Sequence, residues 1–180
     1  LVLGSDKTSV TISDEANGAG NQVTVALTAN GDVVEGNAPS FTVSINRALA
    51  DDFTVTLSNG KSVVITAGQT SAIYAGDTNA EDVYTDPSSL TLNVTGASVA
   101  GKTFENLVID NTAATVNTTD TTNDVVAKLT VDSTSVSEGG QITYTVTLSN
   151  ADGLPVNNHG GLSFTLTDGT VINIAANQTS

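Results

Sequence analysis

Cysteine, methionine and tryptophan are absent from this 180-residue sequence, and His159 is its single histidine. Without cysteine, no disulfide braces the fold, and neither a thiolate metal site nor a cysteine nucleophile can be built. Basic residues are scarce: five Lys+Arg stand against nineteen Asp+Glu, a formal net charge of −14. That deficit argues against nucleic acid as a partner, because phosphates need Lys and Arg, and against anionic membrane surfaces. No apolar run approaches the roughly 20 residues of a membrane-spanning helix, so no membrane insertion is expected. Leu1 opens no signal peptide. Aromatics make up only 4 % of the chain, too few for a sugar-binding platform.

What is present is Val, Leu, Ile and Ala within a 38 % apolar fraction, set among Thr, Ser, Asn and Gly. β-branched side chains suit a pleated, half-buried surface. The segments "QVTVALT", "SFTVSIN", "FTVTLS", "SVVIT", "SLTLNVTG" and "LVID…ATVN" alternate apolar and polar residues or form short apolar runs between turn residues, the pattern of strands. No window sustains helical spacing. Asn59-Gly60 and Asp168-Gly169 each separate two such segments and predict tight hairpins with type I′ turns.

The chain also repeats itself. "FTVTLSNGKSVVITAGQTS" from Phe53 and "LSFTLTDGTVINIAANQTS" from Leu162 share eight of nineteen residues at an offset of 109. "VVEGNAPSFTVSI" from Val33 returns as "VSEGGQITYTVTL" from Val136, and "LVLGSDKTSVTISD" from Leu1 returns as "LVIDNTAATVNTTD" from Leu107, at offsets of 103 and 106. Such self-similarity is the mark of a tandem array. About seven short strands in about 100 residues read as an immunoglobulin-like sandwich. The expected fold is therefore all-β: tandem immunoglobulin-like β-sandwich modules of about 100 residues. Residues 1–22 are expected to hold the last strand of a preceding module plus a linker, 23–122 a complete module, and 123–180 the N-terminal half of a following one. That half would leave sheet edges unpaired, to be mobile or completed by another chain, for instance by the Leu1 to Ile12 strand.

The motifs "DVYTD" (Asp82 to Asp86), "TGAS…G..FENL" (Thr95 to Leu107) and "VSEGG…TYTVTLSNADG" from Val136 occur in that order. In order and spacing the chain resembles the extender repeat of the giant bacterial RTX adhesins: the LapA-type large adhesion proteins and the calcium-dependent ice adhesin. The "SEGG…TVTLS" run is also similar to Calx-β domains. Pro87 stands where many relatives have Gly, and the aspartate-rich nonapeptide repeats of the RTX class are absent. The resemblance implies a type I secretion substrate, extracellular on the bacterial cell surface. Its β-sandwich extenders carry calcium in and between modules and hold an adhesive tip away from the cell, in adhesion or biofilm formation. Its implied partners are neighbouring modules of the same chain.

The acids support calcium on separate grounds. A hard cation takes six to eight oxygens from carboxylates, amides, carbonyls and water. Asp77, Glu81, Asp82 and Asp86 fall within ten residues, and Asp14, Glu15, Asp120 and Asp124 lie in the apparent linkers. In a sandwich, Glu35, the Asp82/Asp86 loop and Asp120 are expected to converge at one pole. Glu35 recurs in register as Glu138. Against this stands the plainer reading of loop acids as a soluble coat. His159, with no second imidazole or thiol, makes a poor zinc site and a poor catalytic base, and no catalysis is expected. The function expected is a non-catalytic, calcium-rigidified spacer. The alternatives are a lectin-like or host-protein-binding module anchored by Tyr74, Tyr84 or Tyr144, and a Calx-β-type calcium-binding module.

Overall fold

A computed structural model describes residues 9–11 and 21–180. Asp14, Glu15 and most of the Leu1 to Ile12 segment lie outside the described residues. Among the described residues all fourteen elements are strands and none is a helix. They are β1 (Gln22–Ala29), β2 (Val33–Val34), β3 (Ser40–Ile45), β4 (Phe53–Leu57), β5 (Ser62–Ile65), β6 (Ser71–Ala75) and β7 (Ser88–Leu92). There follow β8 (Val94–Val99), β9 (Asn106–Ile109), β10 (Ala114–Thr119), β11 (Val125–Val131), β12 (Tyr144–Asn150), β13 (Leu162–Thr165) and β14 (Val171–Ile174). The described residues fall into two compact units. One holds 21–30, 40–75 and 91–115; the other holds 31–39, 76–90 and 116–180.

The first unit is built on two sheets. One has the order β6-β3-β1-β9 and the other β5-β4-β8. Alternation explains them: every second residue points inward, so Val23, Val25 and Leu27 of β1 and Phe41, Val43 and Ile45 of β3 are buried on one face. Antiparallel register sets Val25 opposite Ile45 and Leu27 opposite Val43, which keeps that face continuous. The second sheet answers with Phe53, Val55, Leu57, Val63 and Ile65. Phe53 adds an edge-on contact with Phe104, centroids 5.6 Å apart. Each such side chain contributes about 1.5–3 kcal/mol by leaving water. This is a β-sandwich core.

The strand reading needs refinement at two places. "SLTLNVTG" is not one strand but two, β7 and β8, which pair in different sheets. Asn93 makes the break: its N–H donates to Ser58 Oγ at 3.2 Å while its carbonyl accepts the Ser58 N–H at 3.0 Å. "LVID…ATVN" likewise divides. β9 runs parallel to β1, whereas β10 takes β2 as a parallel neighbour. The chain turns between them where the Thr112 N–H bonds to Asp110 Oδ1 at 2.9 Å. β2 and β6 are strands beyond those six segments.

Both expected hairpins form, β4 with β5 and β13 with β14, but neither turn is type I′. That turn needs two positive φ angles, and only the glycines supply one, Gly60 at 77° and Gly169 at 87°. The loop has three residues. The Gly60 N–H donates to the Leu57 carbonyl at 3.0 Å and the Leu57 N–H to the Lys61 carbonyl at 2.8 Å; Leu166, Gly169 and Thr170 repeat the pattern. This is a type I turn closed by a glycine bulge. The acid or amide before the glycine accepts the N–H two residues on, Asn59 from Lys61 and Asp168 from Thr170.

In the second unit β11 pairs with β12, Leu129 opposite Val146 and Val131 opposite Tyr144. The register copies that of β1 and β3, since Val146 and Tyr144 repeat Val43 and Phe41. The burial does not. Leu27 and Phe41 are 7 % and 0 % exposed, but Leu129 and Tyr144 are 47 % and 50 % exposed. Among the described residues β11 has β12 as its sole ladder partner, whereas β1 is flanked on both sides. Val146, Leu148, Val156 and Ile174 form this unit's buried cluster.

Hydrogen exchange should reflect this difference. The amides of β1 are expected to be strongly protected, and the alternate amides of β11 that point away from β12 to exchange much faster. Protection of β11 equal to that of β1 in a monomer would contradict the open edge. Separately, Gly60→Ala and Gly169→Ala should each destabilise by about 1–2 kcal/mol, the cost of an L-residue at left-handed φ, read as a lowered denaturation midpoint.

Candidate metal centre

The centre starts from a turn. The Asn37 N–H donates to the Val34 carbonyl at 3.2 Å across Glu35-Gly36, and Gly36 has φ 82°. A type II turn demands that positive φ at its third residue. The turn is pinned on both sides. The Glu35 N–H bonds to Thr119 O at 3.0 Å, at the end of β10, and the Gly36 N–H bonds to Asn79 O at 2.8 Å. Glu35 is thereby carried inward and is only 3 % exposed.

Its carboxylate is held by two backbone donors, the Asp82 N–H on Oε1 at 2.8 Å and the Thr121 N–H on Oε2 at 3.2 Å. The loop of residues 76–87 wraps around it. Asp82 Oδ1 accepts the Tyr84 N–H at 2.6 Å, which curls the loop back on itself. Asn79 Nδ2 donates to Asp86 O at 3.1 Å and to Asp86 Oδ1 at 3.3 Å. The Asp86 N–H reaches Asp120 Oδ1 at 3.3 Å. Glu81 Oε1 accepts from Thr121 Oγ1 and, at 2.6 Å, from Asn123 Nδ2.

One carboxylate oxygen each from Glu35, Asp82 and Asp86 lies within 4.8 Å of the others. Asp120 and Glu81 adjoin them, and every donor named above is a neutral N–H or O–H. Burial pushes the Glu35 carboxyl above its ordinary 4.5, and the neighbouring Asp120 carboxyl and Glu81 charge push it further. The N–H bonds from Thr121 and Asp82 oppose that rise without cancelling it. Repulsion of this kind is what a bound cation relieves. The donor set fits a hard cation: it is all oxygen, mostly carboxylate, with no imidazole or thiolate to favour zinc.

Of the residues picked out by sequence, Glu35, Asp82 and Asp86 converge, with Glu81 and Asp120 beside them. Asp77 lies exposed in the same loop and outside the group. Asp124 is exposed; its carbonyl accepts Asn150 Nδ2 at 2.9 Å. Glu138 sits on an identical turn, with the Gly140 N–H on Ser137 O at 2.9 Å and Gly139 at φ 81°, but its side chain is exposed. Asn79, Thr121 and Asn123 carry much of the network and were not singled out. Their one signal is the run of short polar residues flanking the acids, in "TNAED" and "DTTND".

The other polar candidates are otherwise engaged. The ring nitrogens of His159 face the carbonyls of Gly160 and Gln178. Tyr74 accepts Asn59 Nδ2 at 2.8 Å, Tyr84 accepts the Asn158 N–H at 2.9 Å, and Tyr144 is half exposed. No helix among the described residues is long and apolar enough to cross a membrane.

The family model of the LapA domain matches residues 21–121 and again residues 124–180. The chain therefore belongs to the LapA domain family, which is adhesin-related. No curated protein matches it in sequence.

The raised Glu35 pKa has a definite sign. A carboxyl that holds its proton more tightly folded than unfolded stabilises the fold at low pH. That contribution is lost as pH rises from the ordinary 4.5 through the raised folded value. In metal-depleted protein the melting temperature should fall across that window, and Glu35→Gln should flatten the fall. Glu138→Gln should leave it unchanged.

Proposed function

We propose that this LapA-family chain is a non-catalytic, calcium-rigidified extender: a spacer segment of a secreted bacterial surface adhesin that projects an adhesive tip for cell adhesion or biofilm formation. One observation carries the reading. Glu35, Asp82 and Asp86, distant in sequence, bring carboxylate oxygens within 4.8 Å of one another, with Asp120 donated by the segment that leads toward the second repeat. Calcium fits the oxygen donor set, and the Ca²⁺ affinities of extracellular modules, about 10⁻⁴–10⁻³ M, suit a protein loaded only outside the cell. Glu35, Asp82 and Asp86 would hold it, with Asp120 and Glu81 completing the charge balance.

The mechanism is mechanical. In this reading the complete module at 23–122 runs into the half-module at 123–180 through the polar stretch around Asp120 and Asp124, and a cation held by the pole beside it stiffens that junction. Before export, unloaded chains stay looser because the carboxylates repel. Membership of the adhesin-related LapA domain family and the all-β architecture support a structural role. A second reading, a ligand-binding module, draws on the half-exposed Tyr144, which lines an open cleft with Leu129 and Leu166. Glycan or host-protein binding by the isolated chain tests that reading.

A ligand specific to the folded state stabilises by about 2.7 kcal/mol at a hundredfold excess over Kd. Millimolar calcium added to chelated protein should therefore raise the melting temperature by several degrees and lengthen the particle in small-angle scattering. Magnesium should do less, because it demands a smaller octahedral site. Asp82→Asn should weaken calcium binding yet slightly stabilise the calcium-free form. A chelator-insensitive melting temperature and length would leave the acids as a soluble coat only.

A further inference from the structure

The loop that supplies Asp82 and Asp86 has a second side. Between those carboxylates, Val83 packs on the buried cluster formed by Val146, Leu148, Val156 and Ile174. The Tyr84 hydroxyl accepts the Asn158 N–H at 2.9 Å. All of these contacted residues belong to the second sequence repeat, whereas the loop belongs to the first. Asn123 closes the arrangement by donating to Glu81 Oε1 at 2.6 Å and to the Asp82 carbonyl at 2.9 Å. Residues 81–86 thus place Asp82 and Asp86 beside Glu35, pack Val83 on the core of the next repeat and bond Tyr84 to Asn158 at its surface.

We propose that Val83 and Tyr84 are positioning residues that couple the two repeats: the seat offered by the second repeat presets the loop, so that folding of that repeat sets the cation affinity of the acidic pole. The inference rests on the calcium reading above. Fixing a loop residue costs about 1–2 kcal/mol in backbone entropy. A loop already seated by Val83 has met that cost before any cation arrives, and an unseated loop has not. Coupling of this kind is reciprocal. Whatever factor the seat adds to calcium affinity, calcium returns to the stability of the second repeat. An array of such modules then folds and stiffens cooperatively, each cation reporting that the next module is in place.

The test uses the full chain with calcium titrated by calorimetry and hydrogen exchange followed over residues 144–174. Val83→Ala and Ile174→Ala remove the peg and part of its socket without touching a carboxylate, and Tyr84→Phe removes the acceptor for Asn158. Each should weaken calcium binding by about fivefold or more, the low end of typical couplings. Each should also lower protection of residues 144–174 in chelated protein. Calcium should raise that protection in the wild type. Val171→Ala, at a side chain 53 % exposed, should do neither. Calcium bound with unchanged affinity by both Val83→Ala and Ile174→Ala would overturn the coupling and leave the calcium site standing. A wild type that binds no calcium would overturn both readings, and it would do so whatever Val83→Ala does to exchange.

Discussion

A carboxylate buried, among the described residues, without a cationic partner constrains everything around it. Glu35 is drawn out of water by a turn it does not control, and burying an ionised group uncompensated is among the most costly things a fold can do. Two backbone N–H groups, from Asp82 and Thr121, meet part of the need. They also fix where the loop of residues 76–87 and the segment after β10 must run. The remaining acids are consequences of that placement. Asp82 and Asp86 lie close because the loop is tied to Glu35, and Asp120 lies close because it precedes Thr121. Neutral donors cannot cancel so many negative charges; a cation can.

The same placement explains the hydrophobic side of the loop. With the Asp82 N–H committed to Glu35 and the Asp82 carboxylate curled onto the Tyr84 N–H, the intervening Val83 is turned away from the acids. The apolar cluster of Val146, Leu148, Val156 and Ile174 receives it. Electrostatics on one side and burial on the other therefore act on one short backbone. Neither alone would hold an exposed, acid-rich loop in a single conformation.

Much of the fold was legible because alternation is a local signal. The β1, β3, β4 and β5 segments declare their buried faces in their own residues, and the hairpin glycines mark the turns. What could not be read was pairing and turn detail. Whether Asn93 interrupts a strand depends on Ser58, thirty-five positions away, and the turn type at Asn59-Gly60 depends on loop length and not on the dipeptide alone. At the acidic pole around Glu35 the acids were visible as a charge cluster. Asn79, Thr121 and Asn123 were not, since short polar residues are abundant throughout the chain and only the fold assigns them acceptors.

Repetition separates what the backbone needs from what the chemistry needs. Gly36 and Gly139 both sit at φ near 80° (82° and 81°) in the same turn, so the recurrence of glycine follows from local geometry. The recurrence of the glutamate before it does not, because the second position of a type II turn accepts many residues. Glu35 is buried against the 76–87 loop and Thr121, while Glu138 is exposed. Among the described residues the turn thus recurs without the contacts that bury its glutamate: burial of Glu35 follows from the 76–87 loop and Thr121, not from the turn itself.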